Sequence, residues 1–163
     1  MASTPKKYTP VLVFILCLAL PLAIGGLGGF LTFQSVKTWY VTLHKPTFNP
    51  PNWIFGPVWT TLYILMGIAS FLVWQKRKES SIYKSAVTIY LIQLVLNLMW
   101  SYLFFYKHQI GWALAEIGLL LTMIVVNAMV YYKINKTAAW LYLPYILWVS
   151  FATYLTYSIF TLN

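Results

Sequence analysis

Charge is spaced along this chain in a way that leaves few folds open. No Asp, Glu, Lys or Arg falls between Lys7 and Lys37, between Lys45 and Lys76, between Lys84 and Lys107 or after Lys136, and the stretch from Lys107 to Lys133 holds only Glu116. At ~1.5 Å of helical rise per residue, about 20 residues cross a hydrocarbon core of roughly 30 Å. Each interval is long enough. A soluble domain is about 25% charged, whereas this chain is 8% charged and 61% hydrophobic, so water alone cannot be its solvent. These features predict an all-α membrane protein: a single five-helix transmembrane bundle over 1–163, with helices near 9–34, 54–76, 82–106, 110–132 and 137–161 and a long structured loop at 35–53.

The basic residues give the bundle a direction. Lys6, Lys7, Lys76, Arg77, Lys78, Lys84, Lys133 and Lys136 fall on one side of the membrane, and Lys37, Lys45 and Lys107 on the other. The side richer in Lys and Arg faces the cytoplasm, which predicts a cytoplasmic N-terminus and an outward C-terminus. The net charge of +9 is thereby used by topology, and nucleic acid is not an expected partner. A secretory signal beginning at Lys6-Lys7 is disfavoured because the apolar run continues to Leu31, past the length of a signal core. Cys17 is the single cysteine, so neither an intrachain disulfide nor a cysteine zinc site is available.

The first connection differs from the tight turns elsewhere. It reads WYVTLHKPTFNPPNWIFGPVW from Trp39 to Trp59, with Pro46, Pro50, Pro51 and Pro57 stiffening the backbone and Trp39, Tyr40, Phe48, Trp53 and Phe55 adding rigid apolar surface. Trp39 and Trp53 taken singly fit either an aromatic belt among headgroups or a lid. For the whole segment a folded cap is expected, since a belt does not need four prolines.

Helical spacing aligns Tyr90, Gln93, Asn97, Trp100 and Phe104 on the third span, Trp59, Tyr63, Gly67, Ser70 and Trp74 on the second, and Tyr145, Trp148, Ala152 and Leu155 on the fifth. Gly25 and Gly29 form a GxxxG pair suited to helix packing, and Pro21 and Pro144 are expected to kink their helices. Gln93 fits an interhelical hydrogen bond as well as it fits a ligand contact. Glu116 is an intramembrane carboxyl, costly to ionise without a partner; a hydrogen bond to a neighbouring helix is the favoured reading, with a cation site, polar ligand contact or proton relay as alternatives. Trp59, Asn97, Trp100, Ala152 and Glu116 fall in the outer half of the bundle beneath the proline-rich loop. A few polar groups among aromatic rings suit a flat, hydrophobic small molecule.

Conventional catalysis lacks its parts. Asp is absent, His44 and His108 lie in connections, and no phosphate-binding glycine loop with Lys occurs. No metal site and no cofactor are expected. Both histidines are read as solvated polar residues.

The run Trp39-Tyr40, Leu43, Lys45-Pro46, Pro50-Pro51, Trp53, Gly56-Pro57-Val58-Trp59, Leu62-Tyr63 and Met66-Gly67 resembles the signature of the translocator protein family, also called the tryptophan-rich sensory proteins. Asn97 and Trp100, Gly111-Trp112-Ala113-Leu114 with Glu116, and Pro144-Tyr145, Trp148 and Phe151-Ala152-Thr153 agree in order along nearly the whole chain. The resemblance implies a five-helix bundle, often a homodimer, that binds porphyrins such as protoporphyrin IX. Tyr40, Trp59, Asn97, Trp100, Trp148 and Ala152 would hold the ligand, and Trp39, Pro46, Pro50, Pro51 and Trp53 would form the lid. It also implies a receptor or transport role linked to tetrapyrrole regulation or stress. The alternative is light-dependent porphyrin breakdown using Trp59 and Trp148; a small exporter or channel is a lesser one, lacking an internal repeat. Animal members bind sterol through a basic motif at the end of helix five. No Lys or Arg follows Tyr154 or Tyr157 here, which leaves that property unsupported and favours a bacterial cell membrane.

Overall fold

The computed structural model describes residues 9–163; Lys6 and Lys7, two of the eight basic residues assigned to the cytoplasmic side, lie outside it. Helix α1 runs Thr9–Lys37, α2 Asn52–Gln75, α3 Tyr83–Ser101, α4 Ile110–Ile134, α5 Lys136–Trp140 and α6 Leu143–Leu162. Together they supply five spans long and apolar enough to cross a membrane, α3 extended by a wide turn to Tyr106 and α5 with α6 forming the last. The expected five-helix membrane bundle is what the chain forms.

Two local features depart from regular helix. After Ser101, Tyr102–Tyr106 adopts a π-helical turn, in which the Lys107 N–H donates to Tyr102 O at 2.9 Å and the Gln109 N–H to Leu103 O at 3.0 Å. The wider turn lets Phe104 point into the core while Phe105 packs edge-on against it. The last span is broken at Leu141–Tyr142. Asn135 caps α5, its side chain accepting from the Ala138 N–H at 3.1 Å. Pro144 does not kink a continuous helix as expected: it occupies the first turn of α6, where a missing N–H leaves nothing unsatisfied. Pro21 lies within α1, which continues through it.

Spans two to five form the core and α1 leans against it. In the most apolar window of α1 11% of residues are buried, against 28–39% in the other spans; one side of α1 is therefore left to lipid. It packs mainly on α2 and more lightly on α3 and the π turn. Gly67 makes the close approach possible: a methyl there would lie 2.8 Å from the Cys17 carbonyl oxygen and 2.9 Å from Leu18 Cα. The GxxxG pair divides between two roles. A methyl on Gly25 would overlap the Tyr63 ring, whereas one on Gly29 would meet nothing within 4 Å. Inside the bundle Leu62, Met66, Ala69, Leu94, Ile117, Leu120, Ile124 and Val149 make a dry core, and α4 packs along both α3 and α6.

Candidate functional site

At the end of the bundle that bears the long loop, α1, α2, α3 and α6 enclose a cavity of about 520 Å³, within the 300–1,000 Å³ range of small-molecule pockets. Its walls are aromatic. Trp59, Trp100, Trp148, Tyr40, Phe55 and Phe104 line it, with Ala152, Leu155 and Ile159 from α6 and Gly25, Gly26, Gly28 and Gly29 from α1. The rings hold one another: Phe55 meets Trp148 edge-on at 5.9 Å, Trp59 stacks on Tyr63 at 5.6 Å, and Trp100 stacks on Phe104 at 5.3 Å. A wall of rings fixed by mutual contact keeps its shape without a ligand.

The loop is a folded cap. Its chain makes a 3₁₀ turn at Tyr40–Thr42, Lys45 Nζ donates to the Tyr40 and Leu43 carbonyls at 2.7 and 2.9 Å, and the buried Tyr40 hydroxyl donates to Asn49 Oδ1 at 2.7 Å. Burial pushes the Tyr40 hydroxyl up to about 12, the Asn49 contact pulling the other way. At the far side Asn163 brackets His44, accepting from its N–H at 3.0 Å and donating to its carbonyl at 2.9 Å. Phe48 stacks on Tyr154 of α6 at 5.2 Å.

Among the residues named from sequence, Tyr40, Trp59, Trp100, Trp148 and Ala152 come together on the cavity wall. Asn97 lies behind the wall, buried, accepting a hydrogen bond from the Tyr63 hydroxyl and donating to the Tyr145 hydroxyl at 2.9 Å. Gln93 is fully buried with its amide 3.7 Å from Met66 Sδ. Of the lid residues, Trp39 packs face to face on the His108 ring at 4.1 Å and edge-on against Phe104, supporting the cap from outside. Pro46 and Pro50 are half-buried and Pro51 exposed, none of them on the cavity wall. Trp53 is 73% exposed, the position of a belt residue. His108, read as solvated, has a structural contact: its ring stacks on Trp39, its Nε2 is 3.1 Å from Ser35 Oγ, and its backbone has φ 56°, a left-handed conformation uncommon outside glycine.

Sequence reasoning placed α1 in the packing and missed its share of the cavity, together with Lys37, Tyr63 and Thr156. The signal available was that Gly25, Gly26, Gly28 and Gly29 exceed what one GxxxG contact needs.

Glu116 shares the inward stripe of α4 with Ala113, Ile117 and Leu120. The favoured hydrogen bond to a neighbouring helix is not made: the residue is 9% exposed and neither carboxyl oxygen has a hydrogen-bond partner among the described residues. An unsatisfied buried polar group costs about 1–3 kcal/mol. Glu116→Leu, of similar shape, is expected to raise the thermal unfolding midpoint in lipid nanodiscs. A lowered midpoint would show that the carboxyl holds a partner.

The sequence model of the TspO/MBR family matches residues 17–162. A tryptophan-rich protein TspO of Chlorobaculum tepidum is 40% identical over 157 residues, covering 94% of this chain and 97% of that protein. A tryptophan-rich protein TspO of Archaeoglobus fulgidus is 42% identical over 144 residues (87% and 91%), and the translocator protein of Bos taurus 40% identical over 144 residues (84% of each).

Proposed function

The chain belongs to the TspO/MBR family of membrane proteins, and from that premise we propose that it is a receptor or transport-type protein binding porphyrins and other flat hydrophobic molecules in the cavity between α1, α2, α3 and α6. The observation that supports this most directly is the aromatic wall: three indoles and six further rings around one 520 Å³ space. Such a surface favours a planar apolar body through stacking and area burial. A link to tetrapyrrole regulation or stress, a homodimeric state, a bacterial cell membrane and a cytoplasmic N-terminus belong to the same proposal. They rest on the family resemblance and on the distribution of Lys and Arg.

Titrating protoporphyrin IX into the purified protein in nanodiscs is expected to quench its tryptophan fluorescence saturably, with Trp59→Phe weakening the affinity by several-fold. Absence of saturable quenching would sink the binding reading.

Light-driven porphyrin breakdown is a second reading, favoured by one observation: Trp59 and Trp148 both lie on the cavity wall, as electron-donating indoles would have to. Illumination of the bound porphyrin should then yield a new absorbing product faster with the wild type than with the Trp59→Phe, Trp148→Phe double variant. Equal rates would leave binding as the whole activity.

A further inference from the structure

We propose that the end of the bundle opposite the loop carries a site for an anionic glycerophospholipid, its headgroup received by Lys133 and Lys136 and its acyl chains lying over Tyr132 and Trp140. This surface is separate from the cavity, and the inference stands whatever the cavity binds.

The first observation is an imbalance of charge that the protein leaves uncorrected. The chain has two acidic side chains, Glu79 and Glu116, and Glu116 is buried inside its span. Six cations, Lys76, Arg77, Lys78, Lys84, Lys133 and Lys136, therefore share one end of the bundle with Glu79, and six less one leaves a net +5. Glu79 is spent on Lys76, at 2.9 Å. Arg77 turns back on α2, donating to the Trp74 carbonyl at 3.1 Å with its guanidinium 3.7 Å from the centre of the Trp74 ring. Lys78, Lys84, Lys133 and Lys136 are exposed, and the chain has no further acidic side chain to pair with them. The loop end is different. There Lys45 donates to the Tyr40 and Leu43 carbonyls, Lys107 lies over the Tyr102 and Tyr106 rings, and Lys37 lies over Phe33.

The second observation is what lies beneath two of these lysines. Asn135 separates α4 from α5 and caps the latter, so Lys133 stands in the last turn of one helix and Lys136 opens the next. The Lys136 ammonium is 5.6 Å from the centre of the Tyr132 ring. Trp140 follows Lys136 by four residues, one turn along the same side of α5. Tyr132 is exposed, Trp140 is 65% exposed, and Leu143 at the start of α6 continues the open apolar surface. Exposed Trp and Tyr at a span end sit at headgroup depth. From the end of the bundle inward the strip therefore presents cations, then aromatic rings, then an aliphatic side chain, the order in which a phospholipid presents phosphate, glycerol esters and acyl chain. Because α5 packs on α2 as well as on α4, the turn after α2, with Lys78, borders the same corner.

Membrane topology accounts for the number of lysines on one side. It asks nothing of their placing, whereas a lipid site needs cation and ring together. Basic side chains at this depth attract anionic headgroups over a Debye length, and with no carboxylate in competition the phosphate of a net-negative lipid is the counter-ion available to Lys133 and Lys136.

Lipids brominated in their chains quench the tryptophans they touch, which makes Trp140 the reporter, its signal isolated as the difference between wild type and Trp140→Phe. In bilayers mixing phosphatidylglycerol with phosphatidylcholine, brominated phosphatidylglycerol is expected to occupy the site beside Trp140 about tenfold more favourably than brominated phosphatidylcholine. Lys133→Gln with Lys136→Gln should abolish the preference, Lys133→Arg with Lys136→Arg should keep it, and Lys107→Gln at the loop end should leave it intact. Equal quenching by the two lipids in wild type, or a preference that survives the double glutamine variant, would overturn the proposal. Thermal unfolding in pure phosphatidylcholine should be the same for wild type and the double glutamine variant; a lowered midpoint would show that the lysines serve their own helix ends and would also overturn it. Soluble glycerol phosphate at matched ionic strength should not displace the lipid, and displacement would assign the lysines to a free anion instead.

Discussion

Replacing Asn97 with Leu is expected to destabilise the bundle by about 2–4 kcal/mol while leaving ligand affinity of the folded protein close to wild type. The amide of Asn97 on α3 joins Tyr63 of α2 to Tyr145 of α6. A leucine of similar volume keeps the packing and strands two tyrosine hydroxyls in a site where all three side chains are buried. An orphaned buried group costs about 1–3 kcal/mol in water-soluble proteins, whereas hydrogen bonds between membrane helices average only ~0.6 kcal/mol because the unfolded helices find other partners in lipid. Here the larger figure governs, since Tyr63 and Tyr145 are fixed by ring contacts with Trp59 and cannot turn away. Tyr63→Phe removes one of the two bonds and should cost roughly half as much. Denaturation in mixed micelles measures the stability, and protoporphyrin quenching of the folded fraction measures the affinity. Unchanged stability with lost binding would instead make Asn97 a ligand anchor, the role its place on the aromatic stripe suggested from sequence.

That contrast shows what a stripe can and cannot convey. Charge-free intervals place the five spans, because the cost of charge in hydrocarbon does not depend on which helix packs where. Helical periodicity puts Tyr90, Gln93, Asn97 and Trp100 on one side of α3 and is correct in doing so. It does not say which of them meets a cavity and which meets a neighbour, because that depends on the level at which α2 and α6 cross. The same holds for Gly25 and Gly29, four residues apart on one face, of which one receives the Tyr63 ring and the other open space. The π turn at Tyr102–Tyr106 has no local marker such as proline. Phe104 and Phe105 of this turn both pack against Tyr40, contacts that exist only once the cap is folded. Proline spacing announced the cap, but its inner surface is Tyr40 and Phe55, while the more conspicuous Trp53 faces outward.

Ala152→Phe is expected to weaken porphyrin binding at least about 100-fold, or ~2.7 kcal/mol, with little change in thermal stability. Ala152 is on the cavity wall facing the space bounded by Trp59, Trp100 and Trp148. Enlarging a packed core position forces strain of about 1–3 kcal/mol, but here the added ring has an empty space to enter and takes it from the ligand. The substitution also resolves an ambiguity that tryptophan variants leave. Trp148 forms a partition: one side lines the cavity, the other an open apolar groove between α2 and α6 with Pro57, Val58, Thr61, Leu62, Pro144, Leu147 and Phe151. A porphyrin lying in that groove against lipid would quench Trp148 as well as one inside the bundle, so loss of quenching in Trp148→Phe cannot tell the two apart. Ala152 borders the cavity alone and Leu147 the groove alone. Binding inside the bundle therefore requires that Ala152→Phe abolish saturable binding while Leu147→Ala leaves it intact. The reverse pattern would move the ligand to the outer groove and make Trp148 the only cavity residue it touches.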